Sequence, residues 1–171
     1  MTFSLDGFVA NARKAAAADD PVAATCTTLA RALDAAALAG PIDTPADETL
    51  LYEDDTISVW HERFRPDEEL PPHDHGMVAV LGVYAGREAN RLWRREGGWR
   101  AGGTLVLAPR EFHLFGPDDV HSVQALDGQP SFGLHVYLGA LTRVTRSLYD
   151  WDDGTAIAMS DAAFENLKRP R

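Results

Sequence analysis

The chain has 171 residues, enough to bury the core of one domain, and its 45% apolar and 25% charged residues are the proportions of an ordinary globular protein. With 26 acidic against 16 basic residues the net charge is −10, which repels a phosphate backbone and speaks against a nucleic-acid partner. No apolar run approaches the ~18–20 residues of a membrane span, the start carries neither a basic leader nor an apolar signal core, and the single cysteine, Cys26, leaves no internal disulfide. The expectation is therefore one cytoplasmic domain, monomeric or homodimeric, without a membrane partner.

The first 40 residues are rich in alanine and lack strand-type alternation. Helices are predicted over 6–18 and 21–37. Asp20-Pro21 starts the second, with proline at its first position, and Gly40-Pro41 stops it. Leu29, Leu33 and Ala36 fall at helical spacing and give that helix a face to pack on the body. Cys26 belongs to the same helix and reads as a structural thiol.

From about residue 47 the period becomes that of strands, predicted over 48–53, 56–64, 77–85, 89–95, 104–108, 120–126, 131–138 and 144–149. Turn sequences separate them, among them Asp54-Asp55, Ala85-Gly86, Gly97-Gly98, Gly102-Gly103, Gly116-Pro117-Asp118 and Asp127-Gly128. Short strands so spaced point to an all-β sandwich or barrel, jelly rolls included. Ser160 then caps a last short helix through residue 167. The organisation is a helical segment over 1–40, a barrel over 47–150 and a short helix over 160–167.

Chemistry concentrates in the histidines. In His73-Asp74-His75, residues two apart on an extended chain share a face, so both imidazoles can reach one metal ion while Asp74 points away. Such a pair also arises by chance on surfaces. His121, opening the apolar run Val120-His121-Ser122-Val123 after a turn, is the third candidate ligand. His135 and Tyr137 share one face of the predicted strand 131–138. His61 and His113 lack ligand spacing and read as exposed or structurally satisfied, His113 with an option of supporting His121. The tryptophans read as packing for the barrel or its rim, and 94–95 and 152–153 as solvated hairpin ends.

The stretch from His73 to Leu138 resembles the cupin superfamily. The first cupin motif is a glycine, H-x-H, a glutamate three or four residues on, and a glycine seven beyond that. His73, His75 and Gly86 match in register; the glutamate position falls on Ala79 or Val80, and Asp67 stands for the leading glycine. Pro117 and His121 match the second motif with one residue missing and no glycine. A site of three histidines without the glutamate is similar to that of the thiol dioxygenases, typified by cysteine dioxygenase. Members of that branch also carry serine-x-histidine-x-tyrosine on the strand after the third ligand, where this chain has Gly133-Leu134-His135-Val136-Tyr137.

The resemblance implies a cupin double-stranded β-helix with a helical preface. It also implies a divalent metal on His73, His75 and His121, iron(II) first and nickel, zinc or manganese as alternatives. His135 and Tyr137 would act beside that metal, on a small thiol and O2, to give a sulfinic acid. Three departures bear on the substrate. Gly133 replaces the serine, residues 77–81 offer no cysteine for a cysteine–tyrosine crosslink, and no lysine or arginine lies between Arg31 and Arg63 to bind a substrate carboxylate. Cysteine itself is therefore not the expected substrate. Arg63, Arg65, Arg87, Arg91 and Arg94 are the remaining candidates for a cation, and Glu62, if inward, would favour an amine. Two other readings stay open: another metal-dependent cupin enzyme acting on a small molecule, and a non-catalytic metal-binding cupin.

Overall fold

The computed structural model describes residues 3–171. Helix α1 (Leu5–Ala16) starts at Ser4, whose Oγ accepts from the Gly7 N–H at 3.2 Å, and carries Asp6 in its first turn and Arg13 and Lys14 in its last, matching the helix dipole. Helix α2 (Pro21–Ala39) is capped by Asp20, whose carboxylate accepts from the Ala23 N–H at 3.0 Å, and ends at Gly40. Its length and apolar composition reach those of a membrane-crossing helix, contrary to the expectation from the sequence. Here Leu29, Leu33 and Ala36 are wholly buried against the barrel, the position of a core-packed helix.

Twelve strands follow or interleave: β1 (Glu48–Glu53), β2 (Ser58–Phe64), β3 (Glu68–His73), β4 (Ala79–Ala85), β5 (Glu88–Arg94), β6 (Arg100–Leu107), β7 (Phe112–Phe115), β8 (Val120–Ala125), β9 (Ser131–Tyr137), β10 (Ser147–Tyr149), β11 (Ala156–Ala158) and, after helix α3 (Asp161–Leu167), β12 (Arg169–Pro170). One sheet runs β1-β2-β9-β4-β7 and the other β11-β10-β3-β8-β5-β6, with β12 on β3; every pairing is antiparallel. The all-β fold with a helical preface expected from the sequence is what forms, as a double-stranded β-helix.

Differences from the sequence reading have local causes. β3 carries Pro71 and Pro72, which remove two ladder donors, and its pairing with β8 is irregular between Leu70 and His73, where the prolines sit. The prolines hid this strand. β6 runs back to Arg100 through Gly102-Gly103, a pair read as a turn, because β5 pairs along the whole hairpin. β7, β11 and β12 are too short for alternation to reveal.

Alternation sorts the first sheet into two faces. Ile57, Val59, Val80, Tyr84, Leu134 and Val136 point outward and form the main apolar cluster with Phe8, Ala12, Leu29, Leu33 and Ala36 of the helices. Ser58, Trp60 and Glu62 of β2 pair in register with Tyr137, His135 and Gly133 of β9, and these pair with Ala79, Leu81 and Val83 of β4. The second set faces the barrel interior. Both faces of β2 are thus buried, one by helices, so polarity alone could not reveal its inward side. At the β4–β5 turn Gly86 has φ +71°, and a Cβ there would strike the Pro130 carbonyl oxygen, which gives the matched motif glycine a steric reason.

Candidate metal centre

His73 ends β3 and His121 lies opposite it on β8 in register; His75 follows two residues beyond the strand's end. The loop that carries His75 is pinned by the residue between the two histidines. Asp74 accepts from the Ser147 N–H at 3.1 Å and from the Tyr149 hydroxyl at 2.6 Å, and its own N–H donates to the Ser147 carbonyl at 3.1 Å. With Asp74 turned to β10, both imidazoles face the interior. The ring centroids of His73, His75 and His121 are 4.6 to 5.1 Å apart, and one nitrogen from each lies within 4.8 Å of the others. All three are buried.

The hydrogen bonds fix which nitrogen is free. His73 Nδ1 lies 2.8 Å from the Pro71 carbonyl oxygen, which can only accept, so Nδ1 carries the proton and Nε2 the lone pair. His121 Nδ1 lies 2.7 Å from Asn90 Oδ1, and the Asn90 amide in turn donates to Glu88 Oε1 at 3.1 Å. That orients the amide and leaves His121 Nε2 as a lone pair too. His121 Nε2 and His75 Nε2 are 3.3 Å apart. Two nitrogens at ~2.0–2.1 Å from one ion, at a tetrahedral angle, would be about 3.3–3.4 Å apart. Burial pushes the His73 imidazole down to about 4 and lowers His75 and His121 well below the ordinary range, so all three are neutral at pH 7, as ligands must be. The donor set fits a divalent ion. No carboxylate among the described residues joins the cluster, and the missing glutamate position is occupied by buried Ala79 and Val80.

The histidines form part of the wall of a cavity of about 440 Å³ between the sheets. His135 and Tyr137 line it from β9, with Tyr137 Oη 3.4 Å from His135 Nδ1. The Tyr137 ring lies 5.2 Å from that of His75. Burial pushes His135 down to about 3 and the Tyr137 phenol well up, so both are neutral. A Cβ at Gly133 would lie 2.8 Å from His135 Nε2. The ring occupies the place of the absent serine side chain. Ser131 is engaged elsewhere, donating to Glu88 Oε2 at 3.4 Å.

Of the arginines singled out in the sequence, only Arg65 lines the cavity, and it pairs with Asp47 at 2.6 Å. Arg63 also pairs with Asp47 and Arg87 with Asp127, while Arg91 and Arg94 stay off the wall. The cations that sequence reading missed are Lys168 and Arg146; Arg146 falls in the strand expected over 144–149, which forms only as β10, so the irregular chain before it gave no sign of its direction. Glu88 and Asn90 were also missed; both lie on β5, two residues apart and on one face, which is the signal that could have found them. Glu62 does face inward.

Trp60 lines the cavity rather than merely packing, whereas Trp93, Trp99 and Trp151 stack together away from it, Trp93 and Trp99 at 4.8 Å. Arg95, read as solvated, donates to the Tyr149 hydroxyl at 3.1 Å. His61 is fully buried and satisfied by Thr44 Oγ1 and the Tyr84 hydroxyl. His113 packs edge-on against Phe115, whose ring in turn lies 4.4 Å from that of His121.

No protein-family model matches the sequence, and no curated protein is significantly similar to it. Among solved structures the chain is similar to an uncharacterised protein with a double-stranded β-helix domain from Klebsiella pneumoniae subsp. pneumoniae MGH 78578, at 15% identity and a TM-score of 0.50, over 66% of this chain and 88% of that one. A cupin superfamily protein from Desulfitobacterium hafniense DCB-2 matches at 11% identity and a TM-score of 0.47, over 60% and 85%. DMSP lyase DddQ from Ruegeria pomeroyi DSS-3 matches at 20% identity and a TM-score of 0.47, over 58% of this chain. The chain spans less than half the length of the DMSP lyase structures it matches, 42% and 49%. The likeness to the Klebsiella protein shows the fold, a double-stranded β-helix, and carries no activity across.

Proposed function

We propose that this chain is a metal-dependent cupin enzyme that oxidises a small thiol to a sulfinic acid, with iron(II) as the metal held by His73, His75 and His121. The observation that supports it best is the donor set: three neutral imidazoles, two of them with tautomers fixed by hydrogen bonds, and no carboxylate among the described residues, lining a cavity of about 440 Å³. A divalent ion held there keeps its full charge, favours the thiolate form of a thiol and supplies redox chemistry toward dioxygen. The overall change balances as RSH + O2 giving RSO2H, with four electrons leaving sulfur and both oxygen atoms ending on it.

The protein's own groups do the positioning. Pro71 and Asn90 hold His73 and His121 in the tautomers that present Nε2. Phe115, Leu81 and Leu141 give the site an apolar wall that limits water. The neutral His135–Tyr137 pair offers a proton donor and an acceptor on the face of β9 that shares the cavity with the histidines, the place for moving the thiol proton.

The test is an oxygen-electrode assay of iron(II)-loaded protein against a panel of small thiols. The reading predicts thiol-dependent uptake of about one O2 per thiol consumed, abolished by His121→Ala; absence of uptake across the panel contradicts it. A second reading, a non-redox cupin that isomerises or cleaves a small molecule, draws on Glu88. This cavity-lining carboxyl is pushed up to about 7 by burial, in the range of a general base.

A further inference from the structure

We infer that Glu62 anchors a cationic amine of the substrate, so that the thiol of the reaction, the reading on which this rests, is an amine-bearing one. Glu62 lies on the inward face of β2, directly across from Gly133 of β9 and next to the Trp60–His135 pair. Its side chain is buried at 6% exposure and lines the same cavity as the three-histidine cluster. Its Oε2 has no hydrogen-bond partner among the described residues. A buried carboxylate is stable only when a cation or donors balance it.

The chain supplies that balance only in part. Of the three basic side chains on the cavity wall, Arg65 is paired with Asp47 at 2.6 Å, and Lys168 with Glu165 at 2.8 Å and Glu68 at 3.5 Å. The third, Arg146, attracts the Glu62 carboxylate but leaves its Oε2 without a hydrogen bond. Around Glu62 the wall is acidic, with Glu48 opposite it on β1 and Glu88 lining the same cavity. Burial, then repulsion from Glu48, push the Glu62 carboxyl well up, the mark of a group missing its counter-charge.

A second acceptor stands beside it. His135 Nε2 is buried and also without a partner, and in the tautomer that carries its proton on Nδ1, donating to the Tyr137 hydroxyl, it presents a lone pair. A primary ammonium has three N–H donors; Glu62 Oε2 and His135 Nε2, from adjacent strands, offer two acceptors for them. Gly133 lies across from Glu62, and a Cβ there would sit 2.8 Å from His135 Nε2 and crowd the ring. The glycine thus leaves room for the His135 ring across from Glu62, which gives the departure at residue 133 a structural reason. Trp60 Nε1, another unpartnered group on this wall, is a donor and takes a different atom of the ligand. A carboxylate at this position would set acceptor against acceptor beside Glu48 and Glu88.

The experiment is anaerobic calorimetric titration of the purified, metal-containing protein with 2-aminoethanethiol, ethanethiol, 3-mercaptopropionate and ethanolamine. The wild type is expected to bind 2-aminoethanethiol at least about tenfold more tightly than ethanethiol or 3-mercaptopropionate. Glu62→Gln, checked for an unchanged melting temperature, removes that preference and leaves ethanethiol binding as it was. An equal affinity for the three thiols in the wild type, or a preference that survives in Glu62→Gln, overturns the inference. The wild-type comparison decides alone if the variant does not fold. Glu62-dependent binding of ethanolamine as tight as that of 2-aminoethanethiol keeps the amine anchor and counts against the thiol reading; thiol binding blind to the amine does the reverse.

Discussion

At the scale of single residues, the site is a chain of fixed protons. Glu88 accepts from Asn90, Asn90 accepts from His121, and the metal-facing nitrogen of His121 is free as a result. The histidines were legible in the sequence because H-x-H on an extended segment constrains two side chains to one side. Arg146 was not, because the strand expected over 144–149 forms only from Ser147, and the direction of the irregular chain before it is decided by the fold. Glu88 makes a pH prediction. Burial raises its carboxyl from 4.5 to about 7, so between those values the folded chain holds a proton that the unfolded chain has lost. Stability therefore falls as pH rises through that window, by on the order of 3 kcal/mol, and stays at the lower level above it. Glu88→Gln reproduces the protonated form, accepting from Asn90 and donating to Ser131. Urea denaturation of the metal-free protein is expected to show the variant close to wild type at pH 4.5 and clearly more stable at pH 8. A difference equal at both pH values would show that Glu88 is not held protonated.

At the scale of elements, the helices were read from composition and capping, and α2 packs its foreseen face. Strand β3 escaped because Pro71 and Pro72 argue against a ladder, yet the Pro71 carbonyl is the group that orients His73. The residues that conceal the strand also serve the site. The inward side of β2 escaped for another reason: helices cover its outer face, so Val59 and His61 are as buried as Ser58 and Glu62 lie inward. Leu33 is fully buried between α2 and the outer face of the barrel. Leu33→Ala is expected to cost about 2–5 kcal/mol by urea midpoint, with metal content unchanged, since that layer lies behind the sheet from the histidines. A cost below about 1 kcal/mol would show that the helical preface is not integral to the core.

At the scale of the whole molecule, the fold places two different interiors on either side of one sheet. The helix side is apolar and gives stability; the barrel side gathers buried histidines, carboxyls and a tyrosine whose cost is tolerated for function. The chain's end closes the arrangement. Trp151 Nε1 donates to the Leu167 carbonyl at 2.7 Å, Arg171 pairs with Glu69, β12 adds to β3, and Phe164 of α3 stands 6.4 Å from the His73 ring. The strand that bears His73 is therefore held from the C-terminal side as well as by β8. The central claim is that the three histidines hold one metal ion. Elemental analysis of protein purified from unsupplemented cells tests it most directly, beside His73→Ala, His75→Ala and His121→Ala variants of unchanged circular dichroism. The account predicts about one divalent metal ion per chain in the wild type, iron foremost, and loss of nearly all of it in each variant. A wild type that neither carries nor takes up a stoichiometric metal ion, or variants that retain it, would contradict the account.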